Sequence, residues 1–267
     1  MGGWKKMKFN RSAVGKCLIV ASAFMLVFAT LGWAANDDKE SSKDQSDIVK
    51  RIDKAGDVLT EIMGTPDKAI PDKVLSDARC IAIIPSMVKI AVGFGGSHGK
   101  GVAVCRTNRG WSAPAPVTIT GGSWGLQLGG QAIDLVLLVM NQKGMDSLLS
   151  SKFKLGADAS AAAGPVGRDA GADTDWKMKA EVLSYSRARG LFAGIDLNGS
   201  ALTQDKDETR VLYGGKFYPF KDILAGNVKA PADTHQFLAT VAKYAPNTPG
   251  QARNESERTT TTTASKH

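Results

Sequence analysis

Apolar residues along the chain change period near residue 80. Before it, Ile48, Ile52, Ala55, Leu59 and Ile62 recur at intervals of four and three, which places them on one helical face. The pattern predicts a helix over 48–63 that stops at Gly64-Thr65-Pro66, with Lys50, Arg51, Asp53, Lys54, Asp57 and Glu61 opposite. A second short helix is expected over 70–78, with Pro71 in its first turn. Short apolar runs then take over. Strands are expected at 80–84, stopped by Pro85, and at 87–94 and 101–105 between Gly/Ser/His turns. Further strands are expected at 133–140, 153–163, 180–188, 191–202 and 210–213, with a short helix at 143–151. Phe237, Leu238, Val241 and Tyr244 give an amphipathic C-terminal helix. The 11 glycines between 93 and 130 exclude a stable helix there and suit bulged, bent antiparallel strands. The fold class that follows is α+β: one β-rich domain with an antiparallel barrel-like or sandwich core and a helix at each end.

The chain has 267 residues and a formal charge of +8, yet the charge is unevenly placed. Lys5, Lys6, Lys8, Arg11 and Lys16 precede an uncharged run of 15 residues from Cys17 to Leu31, and Gly32 and Ala34 are small. That is the pattern of a secretory signal peptide over 1–34, too short in its apolar part for an ordinary membrane span. Its removal leaves +3, which takes away the basicity argument for nucleic acid. Residues 35–47 read as a flexible polar leader, 48–245 as the folded domain, and 246–267, with five threonines at 259–263, as a disordered tail. The expected location is export to the periplasm, or peripheral association with the cell envelope. Cys80 and Cys105 remain after processing; an exported chain joins such a pair or buries two free thiols, and spacing alone does not choose.

Candidate chemistry is sparse. Gly93 to Gly101 looks like a phosphate-cradling loop, but Phe94 and Gly101 stand where a P-loop needs Gly and Ser or Thr, and His98 breaks the dinucleotide pattern. Gly121-Gly122-Ser123-Trp124-Gly125 matches the nucleophile-elbow spacing, with Asp169 or Asp173 and His235 following in order. The elbow also needs a helix after Ser123, and the next residues are glycine-rich. No catalytic residue is therefore assigned, and a serine hydrolase using Ser123 stands as an alternative. No Cys/His pair has zinc spacing, so no metal and no cofactor are expected. Asp134, inside an apolar run, must be paired if buried; a structural bond to turn amides is expected, with Arg106, Arg187 and Arg189 as candidate partners.

Four stretches taken together go beyond composition: VGFGGSHGKGVAVCR (92–106), GWSAPAPVTITGGSWGLQLGGQAIDLVLLVMN (110–141), KLGADASAAAGPVGR (154–168) and AEVLSYSRARGLFAGIDLNGSAL (180–202). In order and interval they resemble the SYLF family, from about Ile48 to about Gly226. The resemblance implies a non-enzymatic module that binds lipid, with phosphatidylinositol phosphates as ligands in animal members and actin binding in fungal ones. It also implies a β-rich α+β fold whose N-terminal amphipathic helix meets the membrane. Carried onto this chain, the membrane contact is Lys50, Arg51, Ile52, Lys54, Leu59 and Ile62. Asp53 and Asp57 interrupt the basic residues and weaken attraction to polyanionic headgroups. For an exported bacterial chain the implied partner is envelope phospholipid or a membrane surface, and no nucleic acid. An envelope protein-interaction or structural module is the rival reading. The apolar stripe of the helix has two available fates, docking on the β core or entering a bilayer.

Overall fold

The computed structural model describes residues 44–65, 69–92, 94–124, 129–150, 152–166, 180–188, 191–193, 197 and 199–246. The chain divides into two compact units, 1–46 and 47–267, and the fold belongs to the second. The expected signal peptide, residues 35–43 of the leader and the tail after Pro246 lie outside the described residues, while 44–47, expected in the flexible leader, are helical. The first helix, α1, spans 44–63 and so begins four residues earlier than its apolar stripe. A short helix α2 (Asp72–Asp77) leads into the sheet, with Pro71 at its N-cap as its fixed φ favours.

The strands are β1 (Cys80–Val92), β2 (Phe94–Thr107), β3 (Gly110–Trp111), β4 (Ala115–Trp124) and β5 (Gly129–Val139). After α3 (Gln142–Leu148) come β6 (Lys152–Lys154), β7 (Ala161–Ala163), β8 (Val182–Ala188), β9 (Leu191–Ala193) and β10 (Ser200–Gln204). The sheet order is β6-β10-β4-β2-β1-β5-β8-β7, with β3 on β2 and β9 on β8. All pairings are antiparallel except β7 with β8. Helices α4 (Lys206–Leu212), α5 (Phe220–Leu224) and α6 (His235–Tyr244) follow.

The two edge strands, β6 and β7, are joined directly by residues 155–160. Eight strands laid flat would separate the edges by about 34 Å, whereas six residues reach at most about 25 Å. The link is not even extended, because Leu155 bridges Ala159 and the Gly156 amide donates to the Ala159 carbonyl at 2.8 Å. The sheet must therefore curl until its edges approach. Strand alternation then yields two cores. The inner face carries Cys80, Ala82, Ile84, Cys105, Val117, Ile119, Leu135, Phe153 and Leu202, drawn from both halves of the sheet. The outer face carries Ile81, Ile83, Val102, Val104, Val136 and Leu138, covered by Ile52, Leu59 and Ile62 of α1 and by Phe237 and Val241 of α6.

Four expectations are corrected. Pro85 does not end a strand: β1 runs through it, because the pairing with β5 jumps from Ile84↔Leu135 to Met87↔Ile133. Pro85 and Ser86 together oppose Asp134, a bulge in which the missing proline N–H is harmless. The run 153–163 is two strands on opposite edges, and 191–202 is likewise split into β9 and β10. Residues 210–213 are not a strand; Arg210–Leu212 close α4, which Asp205 caps by accepting from the Glu208 amide at 3.0 Å.

Candidate functional site

The membrane-contact set divides by burial. Ile52, Leu59 and Ile62 are at most 2% exposed and pack on the outer face of the sheet, so in this structure they meet protein and not solvent. Lys50 and Lys54 are exposed, and Lys50 pairs with Asp47 at 3.6 Å. Arg51 reaches across to α4, placing its Nη1 2.5 Å from Glu208 Oε1. Glu61, near the other end of α1, pairs with Arg187 of β8. Helix α1 is thus held by an apolar stripe and by an ion pair toward each end.

Around Glu208 the charges form one network. Lys100 of β2 lies 2.9 Å from Asp205 Oδ2 and 3.0 Å from Glu208 Oε1, and the Thr118 hydroxyl donates to Asp205 Oδ2 at 3.1 Å. Burial pulls the Lys100 pKa down, but hydrogen bonds to the two carboxylates outweigh it and leave the ammonium more stable than usual. Burial likewise pushes Asp205 up, and the Glu208 amide with Lys100 and Thr118 more than reverses it, holding the carboxylate below its ordinary range. The Asp205-x-x-Glu208 spacing is a helix-start pattern visible in the sequence, and reading 210–213 as a strand concealed it.

Asp134 has the structural part expected for it. Its Oδ1 accepts the Ser86 amide at 2.9 Å and its Oδ2 accepts from Arg187 at 3.1 Å. The amide comes from the β1 bulge, where Ser86 has φ 52°, so the carboxylate replaces a ladder partner lost to the extra residue. Arg106 is not part of this group, which corrects one of its three candidate partners. It sits at the end of α2, donating to the Ala78 and Leu75 carbonyls at 2.7 and 3.0 Å and stacking 4.5 Å over Trp111. Those carbonyls lie at the C-terminus of a short helix, where a guanidinium adds a well-placed donor. Arg189 lies outside the described residues.

Cys80 and Cys105 are opposed across β1 and β2 with Cα atoms 4.0 Å apart, and their sulfurs are bonded. Ser123 lies within β4, in register with Gly95, rather than at a strand-to-helix turn. His235 is exposed at the start of α6. Asp169 and Asp173 lie outside the described residues. No group of three or more metal-ligating side chains occurs among the described residues, and no helix among them is long and apolar enough to cross a membrane.

A further surface went unnoticed in the sequence. From Ala78 to Ile133 the chain has no Asp or Glu, although it contains Arg79, Lys89, Lys100, Arg106 and Arg109. This stretch forms β1 to β4 and the start of β5. At one end of the sheet the register sets Val92 against Phe94, Phe94 against Trp124, and Ala91 against Gly129. Four strand ends thus meet there, and described neighbours are open to solvent: Val88 is 44% exposed, and His98, Thr120, Gly122, Gln131 and Ala132 are exposed.

Residues 120–244 match the family model described as Ysc84: Las17-binding protein actin regulator. The chain is 34% identical over 196 residues to an SH3 domain-containing protein of Schizosaccharomyces pombe, covering 70% of this chain and 45% of that one. It is 33% identical over 206 residues to the SH3 domain-containing YSC84-like protein 1 of Bos taurus, covering 74% and 60%. Protein YSC84 of Saccharomyces cerevisiae is 34% identical over 185 residues, covering 68% and 39%. The matched part of the chain therefore spans roughly two-fifths to three-fifths of these relatives.

Proposed function

This chain belongs to the Ysc84/SYLF domain family, and from that premise we propose that it is a non-catalytic binding module whose ligand is the surface of a phospholipid membrane. The observation that carries the lipid reading is the carboxylate-free stretch 78–133, which supplies most of four neighbouring strands and one exposed sheet end. The stretch contributes no negative charge of its own to meet anionic headgroups, and apolar residues at a bilayer surface have somewhere to go. The half-buried charges elsewhere are engaged in holding the fold: Asp134 at the bulge, Asp205 at a helix start, and Arg51 and Arg187 at α1. The basic n-region and apolar run in 5–31 support export, with the module acting at the cell envelope.

Co-sedimentation with vesicles of phosphatidylethanolamine and phosphatidylglycerol, against phosphatidylcholine alone, tests the reading. Binding is expected to both, somewhat tighter to the anionic mixture; sedimentation with neither would overturn it. The family description favours a second reading, a protein-interaction module, since the matched model is named for a Las17-binding protein. Specific capture of a protein partner by a chain that ignores vesicles would select that reading.

A further inference from the structure

The curled sheet has a second end, and α5 closes it. Phe220, Ile223 and Leu224 of α5 belong to the inner core beside Cys80, Cys105 and Ala115. Gly226, just past the helix, packs so closely on Thr107 that an added β-carbon would lie 2.8 Å from the threonine Cγ2. Thr107 ends β2, whereas exposed His98 lies near the start of the same strand. At the rise of an extended strand the two are about 30 Å apart. A bilayer that meets the sheet end therefore leaves the α5 end facing away from it.

Between α4 and α5 the chain turns on Gly214 and Gly215, whose φ values of 64° and 85° only glycine adopts readily. The turn is held from within. The Tyr213 hydroxyl donates to the Pro114 carbonyl at 2.9 Å, and its ring meets that of Tyr218 edge-on with centroids 5.3 Å apart. Gln204 Nε2 donates to the Tyr218 carbonyl at 2.8 Å. Phe217 lies between these anchors in sequence and is nevertheless 39% exposed. Of the large apolar side chains exposed among the described residues, Val88, Val166 and Phe217, only the last is aromatic. Its ring carries the Arg210 guanidinium 5.3 Å from the centroid.

The charges around that ring are mostly basic. From Arg210 to Lys221 the sequence RVLYGGKFYPFK holds three cations, four aromatic residues and no acid. Lys216, Lys221 and, beyond α5, Lys229 are exposed. Arg109 of the β2–β3 turn joins them, with its Nη2 2.9 Å from the Gly226 carbonyl, a neutral acceptor that leaves its charge in place. Among the described residues of 206–229 the exposed acids are Asp207, 3.0 Å from Arg210, and Asp222 in the first turn of α5. Lysine is depleted from the buried centres of protein interfaces, where hydration and side-chain freedom are lost. On a fluid anionic leaflet it keeps both, and each such cation favours the bound state by about fivefold. A half-exposed aromatic ring between lysines completes the pattern, because it reaches the interfacial layer that the charges approach.

We infer that the loop 213–219, with Lys216, Phe217 and neighbouring Lys221 at its centre, is a second lipid-facing surface, so that the module bound through its sheet end to one anionic phospholipid bilayer holds another at its α5 end. This rests on the lipid-surface reading above and extends it from binding to bridging. Attachment at the loop is mainly electrostatic, so salt weakens it.

The test mixes the full chain with two populations of phosphatidylethanolamine and phosphatidylglycerol vesicles, one carrying a fluorescence donor lipid and the other an acceptor. Energy transfer between them reads bridging, and co-sedimentation reads binding. Wild type is expected to give both at about 0.1 M salt, and at about 0.5 M to lose the transfer while still sedimenting. Lys216→Gln/Lys221→Gln changes two exposed side chains that have no carboxylate partner among the described residues. It is expected to need about tenfold or more protein for the same transfer and still to sediment, whereas Lys216→Arg/Lys221→Arg should behave as wild type. Wild type that sediments without energy transfer has a single lipid-facing surface, and only this inference fails. Transfer unchanged in the glutamine variant, as self-association of the chain would give, also overturns it. If wild type does not sediment with the vesicles, the lipid reading fails and this inference with it.

Discussion

The bulge in β1 makes a quantitative prediction about the strand beneath it. A β-carbon added at Gly101 would lie 2.1 Å from the Ile83 carbonyl oxygen and 2.8 Å from Ile84 Cα. Both are backbone atoms, so no side-chain rotation relieves the overlap. Clearing it requires a shift of about 1 Å in a strand that is paired on its other side, where Ile83 faces Val136 and Ile84 faces Leu135. At Gly99 the added carbon would meet Ile84 Cγ2 at 2.6 Å and Met87 Cγ at 2.9 Å, which are side-chain atoms, one of them on a flexible methionine. At Gly122 it would meet nothing within 4 Å.

Overpacking a tight site costs about 1–3 kcal/mol, and replacing glycine lowers the entropy of the unfolded chain by about 0.4–1 kcal/mol in the opposite sense. Weakening one or two ladder bonds adds about 1 kcal/mol for Gly101→Ala. The expected order is a loss of about 2–3 kcal/mol for Gly101→Ala, about 1 kcal/mol for Gly99→Ala, and less than about 0.5 kcal/mol for Gly122→Ala. For a domain of this size the first corresponds to a drop in Tm of about 5–10 °C. Urea denaturation followed by circular dichroism, with slopes compared among the three, measures the differences. Gly101→Ala as stable as Gly122→Ala would refute the account of the bulge.

Replacing both Cys80 and Cys105 by alanine should lower stability by about 3–4 kcal/mol in the chain-entropy account, given their separation of 25 residues; a urea midpoint unmoved by the change or by reductant would reject a structural role for the bond. Asp134→Ala leaves the Ser86 amide and Arg187 without their acceptor, so a loss of about 1–3 kcal/mol is expected, with Asp134→Asn recovering part of it in the same assay. Acid titration should separate two aspartates. The folded pKa of Asp205 lies below its ordinary 3.8, so its contribution is complete above that value and disappears as pH falls through the folded one; Asp205→Asn should flatten the acid limb of a Tm against pH curve. Asp53 is raised above 3.8, first by burial and then by Asp57 and Asp233. Its ionised form weakens the fold as pH rises through the folded pKa, so Asp53→Asn should raise Tm at pH 7 and give no gain below pH 3.8.

How much of this was legible varies with the range of the interaction. The α1 stripe, α6 and the apolar run of β5 are local patterns, and period alone locates them. Pro85 misled because a proline is forbidden only where its N–H would join the ladder, and the bulge that excuses it depends on Asp134, 48 residues away from Ser86. The split of 153–163 into β6 and β7 is invisible locally, since it follows from the sheet curling until its edges meet. Asp134 could be recognised as needing a partner from its apolar neighbours, but choosing Arg187 over Arg106 required the β5–β8 register that sets Asp134 opposite Arg187. The carboxylate-free stretch was fully present in the sequence; what made it informative was the sheet gathering its apolar residues at one end.

The two surfaces considered for membrane contact differ in what binding would require of the fold. Ile48, Ile52, Val58, Leu59 and Ile62 of α1 are all nearly or fully buried, and burial of each contributes about 1.5–3 kcal/mol. Lifting the helix would expose about 8–15 kcal/mol of apolar contact, as much as the whole stability of an ordinary domain. It would also break Arg51–Glu208 and Arg187–Glu61 and uncover the outer face of β1, β2 and β5. A bilayer could return the helix's share of that loss but not the sheet's. Contact through the described exposed residues of the sheet end, Val88, His98, Thr120, Gly122, Gln131 and Ala132, asks for no exposure of the α1 stripe. Hydrogen exchange separates the alternatives directly: on vesicle binding the amides of 48–63 should keep their protection, while those of 88–98 and 120–132 become slower to exchange. Accelerated exchange throughout α1, with no slowing at the sheet end, would mean that the helix leaves the core and that the energetic argument against it is wrong.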